Sequence, residues 1–122
     1  MNKIMTLLMC MVIATAVQAE ELTLKMGPTE RTGIGRIDCV RRVQITSSGK
    51  PDASQLRAVA ENAYKITRAL NKPKGSTTIF IYIDGMPTDQ AAYAIAEGTG
   101  ETVETFQLNE QQYEFWQMIK NP

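Results

Sequence analysis

Twelve consecutive residues, Ser76-Thr77-Thr78-Ile79-Phe80-Ile81-Tyr82-Ile83-Asp84-Gly85-Met86-Pro87, limit the fold more than any other part of the chain. With a period of two, Ile79, Ile81 and Ile83 fall on one side and Phe80 and Tyr82 on the other, so both faces are apolar. A strand of that kind belongs in the interior of a sheet. Asp84-Gly85 ends it, because glycine takes up turn geometry that a β-branched residue resists. The neighbouring segments are then expected to supply the partner strands and a covering helix.

The chain has 122 residues, which favours one domain. Its start is expected to lie outside that domain. Lys3 is followed by an apolar run from Ile4 to Val17, and Val17-Gln18-Ala19 places small residues where a signal peptidase needs them. The run of about 14 residues is shorter than the roughly 20 that span a bilayer. Residues 1–19 therefore read as a secretory signal peptide and residues 20–122 as one exported domain, periplasmic or extracellular. Cys10 follows the bulky Met9 with little apolar run ahead of it, so a lipid anchor is not expected there.

There is no histidine, which removes His-based triads and His-ligated zinc. Beyond the leader only Cys39 remains, so an intrachain disulfide and cysteine-cluster metal sites are excluded as well. No cofactor or metal is expected. Cys39 reads as a small core residue, with an exposed thiol that links two chains as the alternative.

The formal net charge is zero, yet it is segregated along the chain. From Lys25 to Lys74 eleven basic residues face four acidic ones, whereas from Gly75 to Pro122 Lys120 is the one base against seven acids. This asymmetry marks either a binding face or two halves that neutralise each other in space.

In chain order, Glu21–Met26 alternates Leu22, Leu24 and Met26 with polar residues and predicts a first strand. Gly27 to Gly35, with three glycines and a proline, predicts a loop. Arg36–Thr46 predicts a second strand with Ile37, Cys39, Val43 and Ile45 on one face, and Arg41 is a charge on that apolar face that calls for a bulge or a rim position. Asp52 and Gln55 form a capping box for a helix whose apolar stripe is Leu56, Val59, Ala60, Ala63, Ile66 and Leu70. Residues 91–96 and 102–108 predict a hairpin, though the alanines of the first segment also suit a helix. Asn109 and Gln112 cap a short terminal helix expected to dock Tyr113, Trp116 and Ile119. The resulting order, β-β-α-β-β-β-α, describes an α+β domain. Its mainly antiparallel sheet of four to five strands is packed by one long helix and followed by a short C-terminal one.

From Leu56 to Leu108 the chain resembles a family of small uncharacterised bacterial and phage secreted α+β domains. The matching pieces are Leu56-Arg57-Ala58-Val59-Ala60, Ile81-Tyr82-Ile83-Asp84-Gly85-Met86 and Ala92-Tyr93-Ala94. Asp84 stands where that family has proline, and Tyr93 where it tends to have tryptophan. The resemblance implies the fold and no activity.

Catalysis would have to run on carboxylates, hydroxyls, lysine or tyrosine, with Asp84 and Asp89 near one turn and Glu97, Glu101 and Glu104 near the next. All five residues also suit ordinary turns and surfaces. Tyr82, Asp84, Met86 and Tyr93 around the Gly85 turn, with Arg41 and Arg42, form the candidate binding set. Adjacent residues of a strand point to opposite sides, so the two arginines are not expected to share a face. The expected function is an exported, non-enzymatic binding protein, such as an inhibitor, immunity factor or accessory subunit acting on a protein or envelope component. The alternatives are a small carboxylate-based hydrolase, or an anion or small-molecule binder using Arg41 and Arg42. A basic surface without interleaved aromatics gives no nucleic-acid signature, and no membrane span is expected beyond the leader. A dimer linked through Cys39 is the one oligomer with a chemical basis in the sequence.

Overall fold

The computed structural model describes residues 22–47, 49–83, 85–88 and 91–120. The expected leader and its cleavage point lie outside these residues, as do Asp84 and Asp89. No described helix is long and apolar enough to cross a membrane.

Five strands and two helices follow the expected order. They are β1 (Leu22–Thr32), β2 (Asp38–Ser47), α1 (Ala53–Asn71), β3 (Thr77–Ile83), β4 (Ala94–Gly98), β5 (Thr105–Leu108) and α2 (Glu110–Lys120), with a short 3-10 turn at Ile34–Arg36. The strands lie side by side in chain order, so β3 is the middle of the sheet. Only β2 and β3 run parallel, joined through α1, and every other pair is antiparallel. This is the α+β layout that the apolar patterns predict.

α1 begins where its sequence says it should. The Asp52 carboxylate accepts from the Gln55 amide at 2.9 Å, and the Gln55 side chain returns a bond from the Asp52 amide at 3.1 Å, which closes the capping box. The helix lays Leu56, Val59, Ala60, Ala63 and Tyr64 on one face of the sheet. Against them the strands bring Val43, Ile45, Ile79, Ile81, Ala94 and Ala96, all but withdrawn from water. Burial of each large aliphatic here contributes roughly 1.5–3 kcal/mol. Gly98 allows the closest approach: a Cβ there would stand 2.6 Å from the Tyr64 hydroxyl and 2.7 Å from the Thr102 carbonyl. Tyr64 uses that space to donate to the Gly100 carbonyl at 2.7 Å.

The structure departs from the sequence reading at β1, in the hairpin and in α2. β1 does not stop at Met26 but continues through Gly27-Pro28 to Thr32, because a register shift between Met26 and Thr29 absorbs the proline. This is the edge strand, where a missing N–H leaves no ladder bond unmade. The hairpin segments are shorter than their β-branched content suggests, and Ala91–Tyr93 precede β4. The Tyr93 amide donates to Ile81, the residue that also pairs with Ala94, so the chain carries one extra residue there. That extra residue releases Tyr93 from the side of Ile95 and buries it in the core. Finally, α2 presses Tyr113 and Trp116 on the body, while Ile119 stays half-exposed with Phe115 and Met118.

Cys39 is buried at the start of β2, with its sulfur 3.7 Å from the Thr77 hydroxyl. It behaves as the small core residue of the two readings. A dimer linked through it would first require this part of the sheet to open.

Candidate functional site

Period-two alternation splits Arg41 from Arg42. Arg41 points to the α1 side, where its Nε donates to the Gly27 carbonyl at 2.8 Å and its Nη1 to the Thr67 hydroxyl at 3.3 Å. Gly27 sits in the β1 irregularity. The charge on the apolar face thus has a structural use: it donates to a carbonyl in the β1 irregularity and to a buried hydroxyl. The irregularity expected at Arg41 is present, on the strand opposite.

Arg42 points to the other face, across which no described helix packs. Its guanidinium pairs with Glu30 at 2.9 Å and lies 5.6 Å from the centre of the Phe80 ring. Burial would lower its pKa, but bonds to Tyr82 and Glu30 outweigh that, and the group is held above its ordinary value. The arginine is therefore a fixed, permanent cation. Phe80 is its cross-strand partner and pairs in turn with Ile95. Val40 lies on the same face, opposite Glu30 and Thr78.

The end of this face is closed by the chain after β3. Gln44 donates to the Met86 carbonyl at 2.6 Å, and the Tyr82 hydroxyl donates to the Thr88 carbonyl at 3.2 Å. Tyr82 and Met86 are buried as a result. The open face consequently has a closed end at Tyr82 and a half-exposed middle formed by Val40, Arg42, Phe80 and Ile95.

The remaining candidates are placed elsewhere. Tyr93 is buried on the side of α2, its ring 5.4 Å from that of Tyr113 and its hydroxyl 3.5 Å from Glu110. Burial first, then the Glu110 charge, raises its pKa. Lys50 reaches the same point, 2.8 Å from Glu110 and above the Tyr113 ring, and the Glu110 bond holds its pKa up. This pair joins the basic and acidic parts of the chain. Met86 belongs to the core, and Asp84 lies outside the described residues. The six candidates therefore do not form one site: Arg42 and Tyr82 meet, while Arg41 and Tyr93 serve packing on the covered side.

The carboxylates around the β4–β5 turn are exposed. Glu97 accepts from Thr78 at 3.3 Å, and Glu104 accepts from the Thr99 hydroxyl at 3.0 Å. Among the described residues, no group of three or more His, Cys, Asp or Glu is placed to hold a metal ion.

Val40 was expected on the face of Arg42, whereas Phe80, Ile95 and Glu30 were not expected beside it. Phe80 read as core because its strand is apolar on both faces. The available signal was the second strand, where Arg42 shares its face with Asp38, Val40 and Gln44, a largely polar set that implies a face meeting water. No family model, curated protein or solved structure matches the chain.

Proposed function

We propose that this is an exported binding protein without catalytic activity, which holds a protein or envelope component against the open face of its sheet. The observation that carries this reading is the Arg42–Phe80 pair, a partly buried aromatic ring under a guanidinium that also pairs with Glu30. Aromatic residues and arginine are enriched at the energetic centres of protein interfaces, where apolar neighbours exclude water from them. Val40 and Ile95 supply such neighbours. The side chains are already oriented, so little rotamer freedom remains to be lost on binding.

The anion-binding alternative has less support, because Arg41 is committed to Gly27 and Thr67 on the opposite side. A photo-crosslinking amino acid at Gln107, which is exposed on the open face beside Ile95, tests the proposal in an envelope extract. Ala58, on the outer side of α1, is the control position. A discrete adduct from position 107 that disappears with Phe80→Ala supports the reading. Equal labelling from both positions, or none from 107, refutes it.

A further inference from the structure

One end of the molecule presents aliphatic side chains to water where nothing in the packing asks for it. Ile34 is 96% exposed at the crest of the 3-10 turn, Leu70 is 72% exposed on the last turn of α1, and Ile37 is 42% exposed between them in the chain path. The backbone that raises Ile34 is an unusual one. Gly33 and Gly35 have φ of 82° and 73°, and Arg36, which has a Cβ, has φ of 56°. Left-handed geometry is uncommon outside glycine, and sustained departures of this kind concentrate at functional segments.

The turn is also firmly held. Arg31 donates to the Asn71 carbonyl at 2.6 Å and to the Arg36 carbonyl at 3.4 Å, tying the turn to the end of α1. The Gly75 amide donates to the Ile37 carbonyl at 2.8 Å, and the Asp38 carboxylate accepts from the Ser76 amide at 2.7 Å. A side chain at Gly75 would collide with Asp38. Ile34 is therefore held outward by a braced scaffold.

The exposed charges of the turn and of the segment that follows α1 have one sign. Arg36, Lys72 and Lys74 are exposed, and Arg31 and Arg68 stand behind them with their guanidinium groups bonded to backbone carbonyls. The one acid in the turn region, Asp38, is turned inward to Ser76. The exposed acids Glu97, Glu101 and Glu104 lie around the β4–β5 turn, at the same end of the sheet but separated from the tip by β3 and by Arg68, which donates to Thr99 at 2.9 Å.

We propose that this tip docks on the surface of a bilayer that contains anionic phospholipid, with Ile34, Ile37 and Leu70 entering the headgroup boundary and Arg36, Lys72 and Lys74 pairing with lipid phosphates. Exposed aliphatic side chains flanked by cations match that boundary, where apolar insertion and attraction to anionic headgroups add. A protein pocket could accept one such side chain, but the flanking cations would then need a matching acidic rim. The inference is independent of the open sheet face and of its partner.

The test uses the full chain with vesicles of phosphatidylcholine alone or mixed with phosphatidylglycerol. In an Ile34→Trp, Trp116→Phe variant, emission from position 34 is expected to shift to the blue with the anionic vesicles and much less with the neutral ones. The double variant Ile34→Ser, Leu70→Ser should weaken binding to anionic vesicles about tenfold, and so should Arg36→Gln with Lys72→Gln. Raising the salt should weaken the wild type toward the charge variant. All substituted tip residues are exposed, so circular dichroism should show unchanged folding. No blue shift at position 34, or equal vesicle binding by wild type and both variants, would overturn the proposal. Equal binding would also assign any membrane affinity to another segment of the chain.

Discussion

The two faces of the sheet are built from the same strands and differ in what covers them. On the α1 side, Val43, Ile45, Ile79 and Ile81 are closed off from water by Leu56, Val59 and Tyr64. On the other side, Val40, Arg42, Phe80 and Ile95 remain half-exposed. Neighbouring residues such as Arg41 and Arg42, or Phe80 and Ile81, thus carry opposite duties. Apolar character alone therefore does not tell the covered side from the open one in a strand that is apolar on both sides. The deciding factor is whether a helix of the chain covers that side.

Substitutions that separate the faces should follow a steep order. Ile79→Ala, on the covered face, is expected to cost about 2–5 kcal/mol, read from chemical denaturation. Ile95→Ala, on the neighbouring strand and opposite face, should cost clearly less, and an equal loss would break the comparison. The arginines give the next largest contrast. Arg41→Met leaves the Gly27 carbonyl and the Thr67 hydroxyl without their donor and should cost about 1–3 kcal/mol. Arg42→Met removes an exposed ion pair and a ring contact and should cost no more than about 1 kcal/mol.

A weaker effect appears with pH. Burial raises the hydroxyl pKa of both Tyr64 and Tyr93 above the ordinary 10.0. The native state therefore keeps these protons at pH values where the unfolded chain has lost them. This contribution is complete below about pH 10 and is lost as the pH rises toward the native-state values. Denaturation midpoints should fall with increasing pH in that range, and Tyr64→Phe should flatten the fall. Asp52→Ala should loosen the start of α1, seen as faster amide exchange in its first turn, with the open face unaffected.

Much of the architecture was legible in local patterns. The Asp52 capping box, the stripe of α1 and the doubly apolar β3 each have one consistent reading, and together they give the element order. The boundaries that moved were set by interactions distant in sequence. Thr29, Glu30 and Arg31 join β1 because β2 offers them partners beyond a proline that looked like a loop. Tyr93 leaves the side of Ile95 because one extra residue is accommodated opposite Ile81. The candidate site was legible only in part. Alternation predicts that Arg41 and Arg42 diverge, with Arg41 on the apolar side, but not that Phe80 lies beneath Arg42.

If stability resides on one face and recognition on the other, adjacent residues of β3 separate the two. Phe80→Ala and Ile81→Ala should each be measured for denaturation midpoint and for adduct yield from the photoprobe at position 107. Phe80→Ala should keep most of the stability and lose the adduct, whereas Ile81→Ala should lose stability and, under conditions where it remains folded, keep the adduct. Parallel losses of both properties in both variants would contradict this division.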